Sequence, residues 1–499
     1  MARKNPYSNF HLKFLLTTEA FEVTLLSMFK PGLLRGPQTD HAKTLLDSLY
    51  LNGVANDTSD TGTGKTYVAV AIAAAMNRPV VIICPKIIRG KWIKLMAEWG
   101  VNPEVVINYE KLIRGNTKWL TYDPKEWGID ANGRKYEIPR YCRTILHFPD
   151  AALVILDEAH KCKAYNSLSS GIMSTCKRQG YKFLNASATL AVDPREMRTI
   201  GYANNLIKTT QMKDYKAFCI DHGAEWLGRW GALTFDSEDR KAQAKLKAVH
   251  HNLFDHQKCA SRLTRQMMKE YFPENHVDAT AYTMDDIHTR KIQAVYDWLE
   301  EELNKLYEHC EGYSECILTL ILKARMEVEM LKVPLFCELI EEAYDEGNSV
   351  VCFVNFTRTW QTIQKKLEGR KALKDQIVLI RGGQKDKVRE EGIADFMADR
   401  KRICLANQDA GGVAVDLHDL NGNYPRYTIL SPTFNARSIL QAFGRCDRVD
   451  AKTPVFQTLA YVAGTIEERA TARMQAKLDN LSLLNDGDLS MGLNLYRRA

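Results

Sequence analysis

Short apolar runs rich in valine and isoleucine recur along the chain, separated by stretches of helical period. This alternation limits the fold more than any other feature. One set comprises PVVIICP (79–85), EVVINY (104–109), AALVILDE (151–158) and KFLNASAT (182–189). A second comprises SVVCFVN (349–355), QIVLIRG (376–382), RICLAN (402–407), RYTILS (426–431) and VFQTLAYV (455–462). Strands that are apolar throughout, rather than at alternate positions, belong to parallel sheets covered by helices on both faces. Two such sets predict two α/β lobes in tandem. A length of 499 residues gives each lobe room for its own core.

The pattern divides the chain into an N-terminal extension (1–32), a first lobe (33–205), a helical region (206–345), a second lobe (346–485) and a tail (486–499). The helical region shows helix period and almost no glycine, as in QAVYDWLEEELNKLYEHC. Residues about 120–147 are polar, turn-rich and broken by proline, which predicts a hairpin-like insertion on the first lobe. The N-terminal run FLLTTEAFEVTLLSMF is interrupted by Glu19 and Glu22, so it reads as an amphipathic helix rather than a signal or a membrane span. The 12 cysteines are scattered with no CxxC pair, which argues against zinc and for a reducing, intracellular setting: cytoplasmic, or nuclear in a eukaryote. A net charge of +7 permits an anionic partner without demanding one.

Three short stretches carry chemistry. SDTGTGKTY places Gly62, Thr63, Gly64, Lys65 and Thr66 just before a helical run. Glycines let backbone N–H groups curl around phosphates, the lysine reaches the terminal phosphates, and the threonine hydroxyl suits Mg²⁺. The earlier glycine of the strict loop is replaced by Ser59. LVILDEAHK ends an apolar strand on Asp157 and Glu158, a carboxylate for the cation and a neighbour to orient water. QAFGRCDR carries Arg445 and Arg448, which would share a face if helical. Taken alone it is either a solvated surface pair or an anion clamp.

In order and spacing these stretches resemble superfamily 2 helicases and translocases, and within them the Swi2/Snf2 group, over about residues 33–480. GPQTDHAKTLLDSL is similar to the adenine-sensing Q segment, SDTGTGKT to motif I, CPKIIRGKWIKLMAEW to motif Ia and DEAH to motif II. SAT at 187–189 is similar to motif III of helicases generally, VVCFVNFTRTW to motif IV, NQDAGGVAVDL to motif V and QAFGRCDRVD to motif VI. GTIEERATARMQAKL matches the group's terminal signature. Motif V departs from the group at Asp409, Ala414 and Asp416.

The resemblance implies two RecA-like lobes that bind ATP and Mg²⁺ between them. It makes Gln38 the base reader, gives the phosphates to Gly62, Thr63, Gly64 and Lys65, and gives Mg²⁺ to Thr66 and Asp157. Glu158 becomes the water-orienting base, and Arg445 and Arg448 become the arginines delivered by the second lobe on closure. Ser187, Thr189 and Gln441 would couple nucleotide state to movement, with Asp416 sensing the nucleotide. Lys86, Arg89, Lys91, Tyr109, Thr357 and Arg358 are candidates for the sugar-phosphate backbone, and Trp92 and Trp360 read as packing residues. The implied function is an ATP-dependent motor on duplex, forked or branched DNA, of a compact phage or bacterial type. The alternatives are a strand-separating or branch-migrating helicase, an RNA helicase, or an inactive nucleic-acid scaffold.

Overall fold

The computed structural model describes residues 34–467 apart from 115, 130–132, 228–231, 238, 310–313, 409–414, 434 and 466. The N-terminal extension, the tail, the Ala-Gly-Gly stretch of motif V and most of the terminal signature lie outside the described residues.

Each lobe is built on a six-stranded, wholly parallel sheet. In the first the strand order is Ala260–Ser261, Val54–Asp57, Lys182–Ala186, Leu153–Asp157, Val80–Cys84, Val105–Asn108. In the second it is Asn275–Tyr282, Val455–Val462, Arg426–Leu430, Ser349–Val354, Ile403–Asn407, Ile377–Ile380. The continuous apolar runs have the predicted cause. In Val80–Cys84, Val81 and Ile83 enter one core cluster, while Val80, Ile82 and Cys84 enter another on the opposite face. Val350, Cys352 and Val354 likewise separate from Val351 and Phe353. Full burial of each such side chain contributes about 1.5–3 kcal/mol.

The insertion is hairpin-like as expected. Leu120–Tyr122 pairs antiparallel with Thr144–Leu146, and Trp127–Ile129 pairs antiparallel with Lys135–Glu137. The boundaries of the helical region are corrected. Ala260–Ser261 completes the first lobe's sheet, and Asn275–Tyr282 forms the edge of the second, so residues 206–345 divide between the lobes. Two residues are too few to show a period. The edge strand alternates between exposed and half-buried residues, so it lacks the continuous apolar signature of its neighbours. The long helices Asp286–His309 and Ser314–Leu331 pack on each other. Val333–Asp345 packs its apolar face on the second sheet. The cysteines among the described residues are free thiols.

One buried pair fastens the end of the second sheet. Lys332 Nζ donates to Glu467 Oε1 at 2.7 Å, with both side chains almost wholly out of solvent. Glu467 Oε2 accepts from the Val462 backbone N–H. Removing the lysine leaves a buried carboxylate without its cation. Lys332→Ala is therefore expected to lower stability by about 3–5 kcal/mol, read as a shift in the urea unfolding midpoint of the second lobe.

Candidate ATP site between the lobes

A cleft of about 460 Å³ opens at the carboxyl ends of the first sheet's strands, where open α/β sheets place their ligands. The loop after Val54–Asp57 lines one wall and leads into helix Lys65–Met76. Gly62 (φ 84°) and Gly64 (φ 92°) take left-handed backbone, and a Cβ on either would collide: on Gly62 with the Asp447 carbonyl, on Gly64 with the Gln38 amide. Lys65 Nζ folds back onto the Ser59 and Asp60 carbonyls at 2.8 and 2.9 Å. Thr66 lines the cleft beside it.

The Ser59 substitution has a structural account. Its hydroxyl lies 3.1 Å from His41 Nε2 and accepts from the Leu263 N–H at 2.9 Å. Asp57 accepts from the Ser59 N–H and pairs with His41. Arg262 pairs with Asp60, whose other oxygen accepts from the Arg265 N–H. The phosphate loop is thus stapled to the connection between the lobes by polar side chains that no single motif discloses. Gln38 is buried; it donates to the Thr63 carbonyl at 2.8 Å and accepts from the Arg35 N–H, so it braces the loop at the cleft's rim.

Asp157 ends its strand, and Glu158 follows in left-handed backbone (φ 55°), which turns the two carboxylates into one cleft. Trp92 Nε1 donates to Asp157 Oδ2 at 2.7 Å. The indole is buried as the packing reading predicts, yet its N–H also holds the Asp157 carboxylate. Burial first, then the charge of Glu158, pushes the Asp157 carboxyl up out of the usual range. Burial would raise Glu158 as well, but the His160 hydrogen bond and charge, followed by Arg445 and Lys65, hold it well below the ordinary value. His160 Nδ1 lies 3.2 Å from Glu158 Oε2 and 3.1 Å from Ser187 Oγ. The Thr189 N–H donates to the same serine hydroxyl. Gln441 from the second lobe donates to Glu158 Oε2 at 3.3 Å.

The arginines reach the cleft from the second lobe. Helix Ala436–Phe443 ends before them, so a turn rather than a helix face carries the pair. Both line the cleft; Arg445 is only 4% exposed. Burial, then the charge of Arg448, lowers Arg445 to about 10, which leaves it cationic at neutral pH. Arg448 Nε pairs with Asp416 at 3.0 Å. Asp416 also accepts from Lys91 of the first lobe at 2.8 Å. Burial opposes ionisation of Asp416, but Arg448 and then Lys91 hold its carboxyl far below the usual range. A Cβ on Gly444 would strike Thr61, so that glycine admits the phosphate loop against the second lobe.

Two backbone-contact candidates sit elsewhere than the sequence suggested. Lys91 faces the cleft and its Asp416 partner. Tyr109 is buried beneath the site and donates to the Asp157 carbonyl at 3.0 Å. The other four stay near the surface. Lys86 pairs with Asp386 across the lobes, Arg89 donates to the Val106 carbonyl, Arg358 pairs with Glu327, and Thr357 is exposed. Trp360 is buried, in keeping with packing.

Two parallel sheets in tandem, with GxGKT at one carboxyl edge and Asp-Glu at the same edge on the next strand but one, are the architecture of a helicase-class ATPase. Residues 331–450 match the family described as Helicase conserved C-terminal domain. A protein of Acanthamoeba polyphaga mimivirus named "Putative ATP-dependent RNA helicase L364" is 30% identical over 486 residues, covering 94% of this chain and 87% of its own. The Sulfolobus solfataricus SWI2/SNF2 ATPase core in complex with dsDNA aligns with a TM-score of 0.36 at 16% identity, covering 93% of this chain and 95% of its own. The chain belongs to the helicase family of this mimivirus relative and is an ATP-dependent motor enzyme. No helix among the described residues is long and apolar enough to cross a membrane.

Proposed function

We propose that the chain hydrolyses ATP in the cleft between its lobes to translocate on or remodel DNA, with duplex, forked or branched DNA as the preferred track. One observation carries the reading: Lys65, Asp157 and Glu158 of the first lobe line the same cleft as Arg445 and Arg448 of the second. Lys65 and the loop amides receive the phosphates, releasing Nζ from the Ser59 and Asp60 carbonyls. Glu158 orients the attacking water and takes its proton. Arg445 balances charge developing on the transferred phosphoryl group. Such a site works only with both lobes in place, which ties turnover to closure.

The donor set fits Mg²⁺. The cation commonly takes one or two protein oxygens and completes its shell with phosphates and water. The Thr66 hydroxyl and the Asp157 carboxylate both face the cleft. Two adjacent half-buried carboxylates also gain from a nearby cation, as the raised Asp157 indicates. Bound there, the ion would neutralise charge on the phosphates. Trp92 would hold Asp157 in its ligating orientation. Trp92→Phe is expected to raise the Mg²⁺ concentration for half-maximal hydrolysis roughly tenfold, read from a metal titration of the ATPase rate.

The mimivirus relative's name favours a second reading in which RNA is the track. ATPase stimulation by single-stranded, duplex, forked and four-way DNA and by RNA separates the two. The DNA reading expects salt-sensitive stimulation, strongest with duplex or branched DNA. Stimulation by RNA alone would replace it, and a rate unchanged by every nucleic acid would remove both.

A further inference from the structure

The first lobe carries a second recess, about 710 Å³, whose lining shares no residue with the ATP cleft. Three stretches of chain wall it: the inserted hairpin, the segment after Asp157-Glu158, and the segment after Ser187–Thr189. They contribute Tyr136, Tyr141, Tyr165, Arg195 and Arg198, and helix Met212–Asp221 adds Tyr215.

The geometry selects a ligand class. The Arg198 guanidinium carbon lies 3.4 Å from the Tyr165 ring centroid and 5.3 Å from that of Tyr215. Its Nε donates to the Thr210 carbonyl at 2.8 Å, which fixes the stack. Tyr141 meets Tyr165 edge-on at 5.1 Å. A cation already occupies the aromatic cluster, so a second cation such as a methylated ammonium is disfavoured. Lys163 pairs with Glu196 and Arg195 with Asp193, but among the described residues no carboxylate pairs with Arg198. The recess therefore suits a planar ring with an anion attached, and its volume lies in the range that takes a small organic group. Tyr136 stands 48% exposed at the mouth. Its ring lies across the hairpin over Gly128, where a Cβ would come within 2.8 Å of it. That leaves the tyrosine held flat and available for stacking.

We propose that this recess receives one unstacked nucleobase of a bound nucleic-acid strand, stacked on Tyr136 at the mouth, with the adjoining phosphate drawn to Arg198. The proposal rests on the nucleic-acid reading above and adds a site to it. Two of the walls continue directly into the ATP site, where His160 lies within 3.2 Å of Glu158 and 3.1 Å of Ser187. A captured base thus presses on the segments that handle the nucleotide.

The test measures binding of the full chain to short oligo(dT), to an abasic strand of equal length and to blunt duplex DNA. Tyr136→Ala is expected to bind oligo(dT) about tenfold more weakly than wild type. Tyr136→Phe, which keeps the ring on Gly128, is expected to stay within about twofold. The abasic strand and the duplex should bind all three proteins alike. Oligo(dT) binding by Tyr136→Ala equal to wild type, with DNA-stimulated hydrolysis intact, overturns the recess and leaves the motor reading standing. Equal losses on the abasic strand overturn base capture, and displacement of the strand by micromolar thymidine monophosphate overturns the strand as the occupant. A wild-type protein that binds none of the three overturns both readings.

Discussion

Glu158→Gln is expected to lower ATP turnover roughly a thousandfold while leaving ATP binding near wild type. The substitution keeps the size and the hydrogen-bonding position of the side chain but removes the negative charge that draws a proton from water. The surroundings of Glu158 favour its ionised form. His160, Arg445 and Lys65 hold its carboxyl well below the ordinary value despite burial, so it enters the reaction as a carboxylate. Its left-handed backbone aims it beside Asp157 rather than along the strand. The outcome is checked by steady-state hydrolysis beside equilibrium binding of a fluorescent ATP analogue. Near-normal turnover would remove Glu158 from the base role.

The second large effect is expected at Arg445. Arginines supplied from outside the phosphate loop contribute about 10³–10⁵ in rate, because they meet charge that develops only in the transition state. Arg445→Ala should therefore lower kcat by at least about a thousandfold with little change in KM for ATP. Arg448 differs, since it is already engaged by Asp416 within the second lobe. The Asp416–Lys91 contact crosses between the lobes, so Arg448 stands in the chain of charges that joins them. Rapid-quench measurement of the first turnover distinguishes loss of chemistry from slowed product release.

Much of this was legible in the residues. Continuous apolar strands told of parallel sheets because both faces of Val80–Cys84 are covered. The placement of the glycines at 62 and 64 and of the Asp-Glu pair at one cleft was readable because it depends on local backbone conformation and on the end of an apolar strand. The division of residues 206–345 between the lobes was not. A two-residue strand at Ala260–Ser261 and an edge strand at Asn275–Tyr282 acquire meaning only from partners far along the chain. Likewise, the sequence shows Trp92 as a bulky residue in a helix, but not that its N–H finds Asp157 65 residues on. The placement of Lys91 at the cleft and of Tyr109 beneath it was hidden for a related reason. Motif position says which loop a residue occupies, whereas the fold decides whether that loop faces solvent, the cleft or the core. The arginine pair posed the sharpest case: QAFGRCDR reads equally as a surface patch or a clamp until the second lobe is set against the phosphate loop.

The central claim is that one catalytic site is assembled from two lobes. Comparing a ground-state ATP analogue with ADP plus tetrafluoroaluminate, in wild type and in Arg445→Ala, tests it most directly. The arrangement predicts that the ground-state analogue binds both proteins within about threefold, while the transition-state mimic binds the variant at least about a hundredfold more weakly. Equal losses for both ligands, or no loss for either, would contradict it.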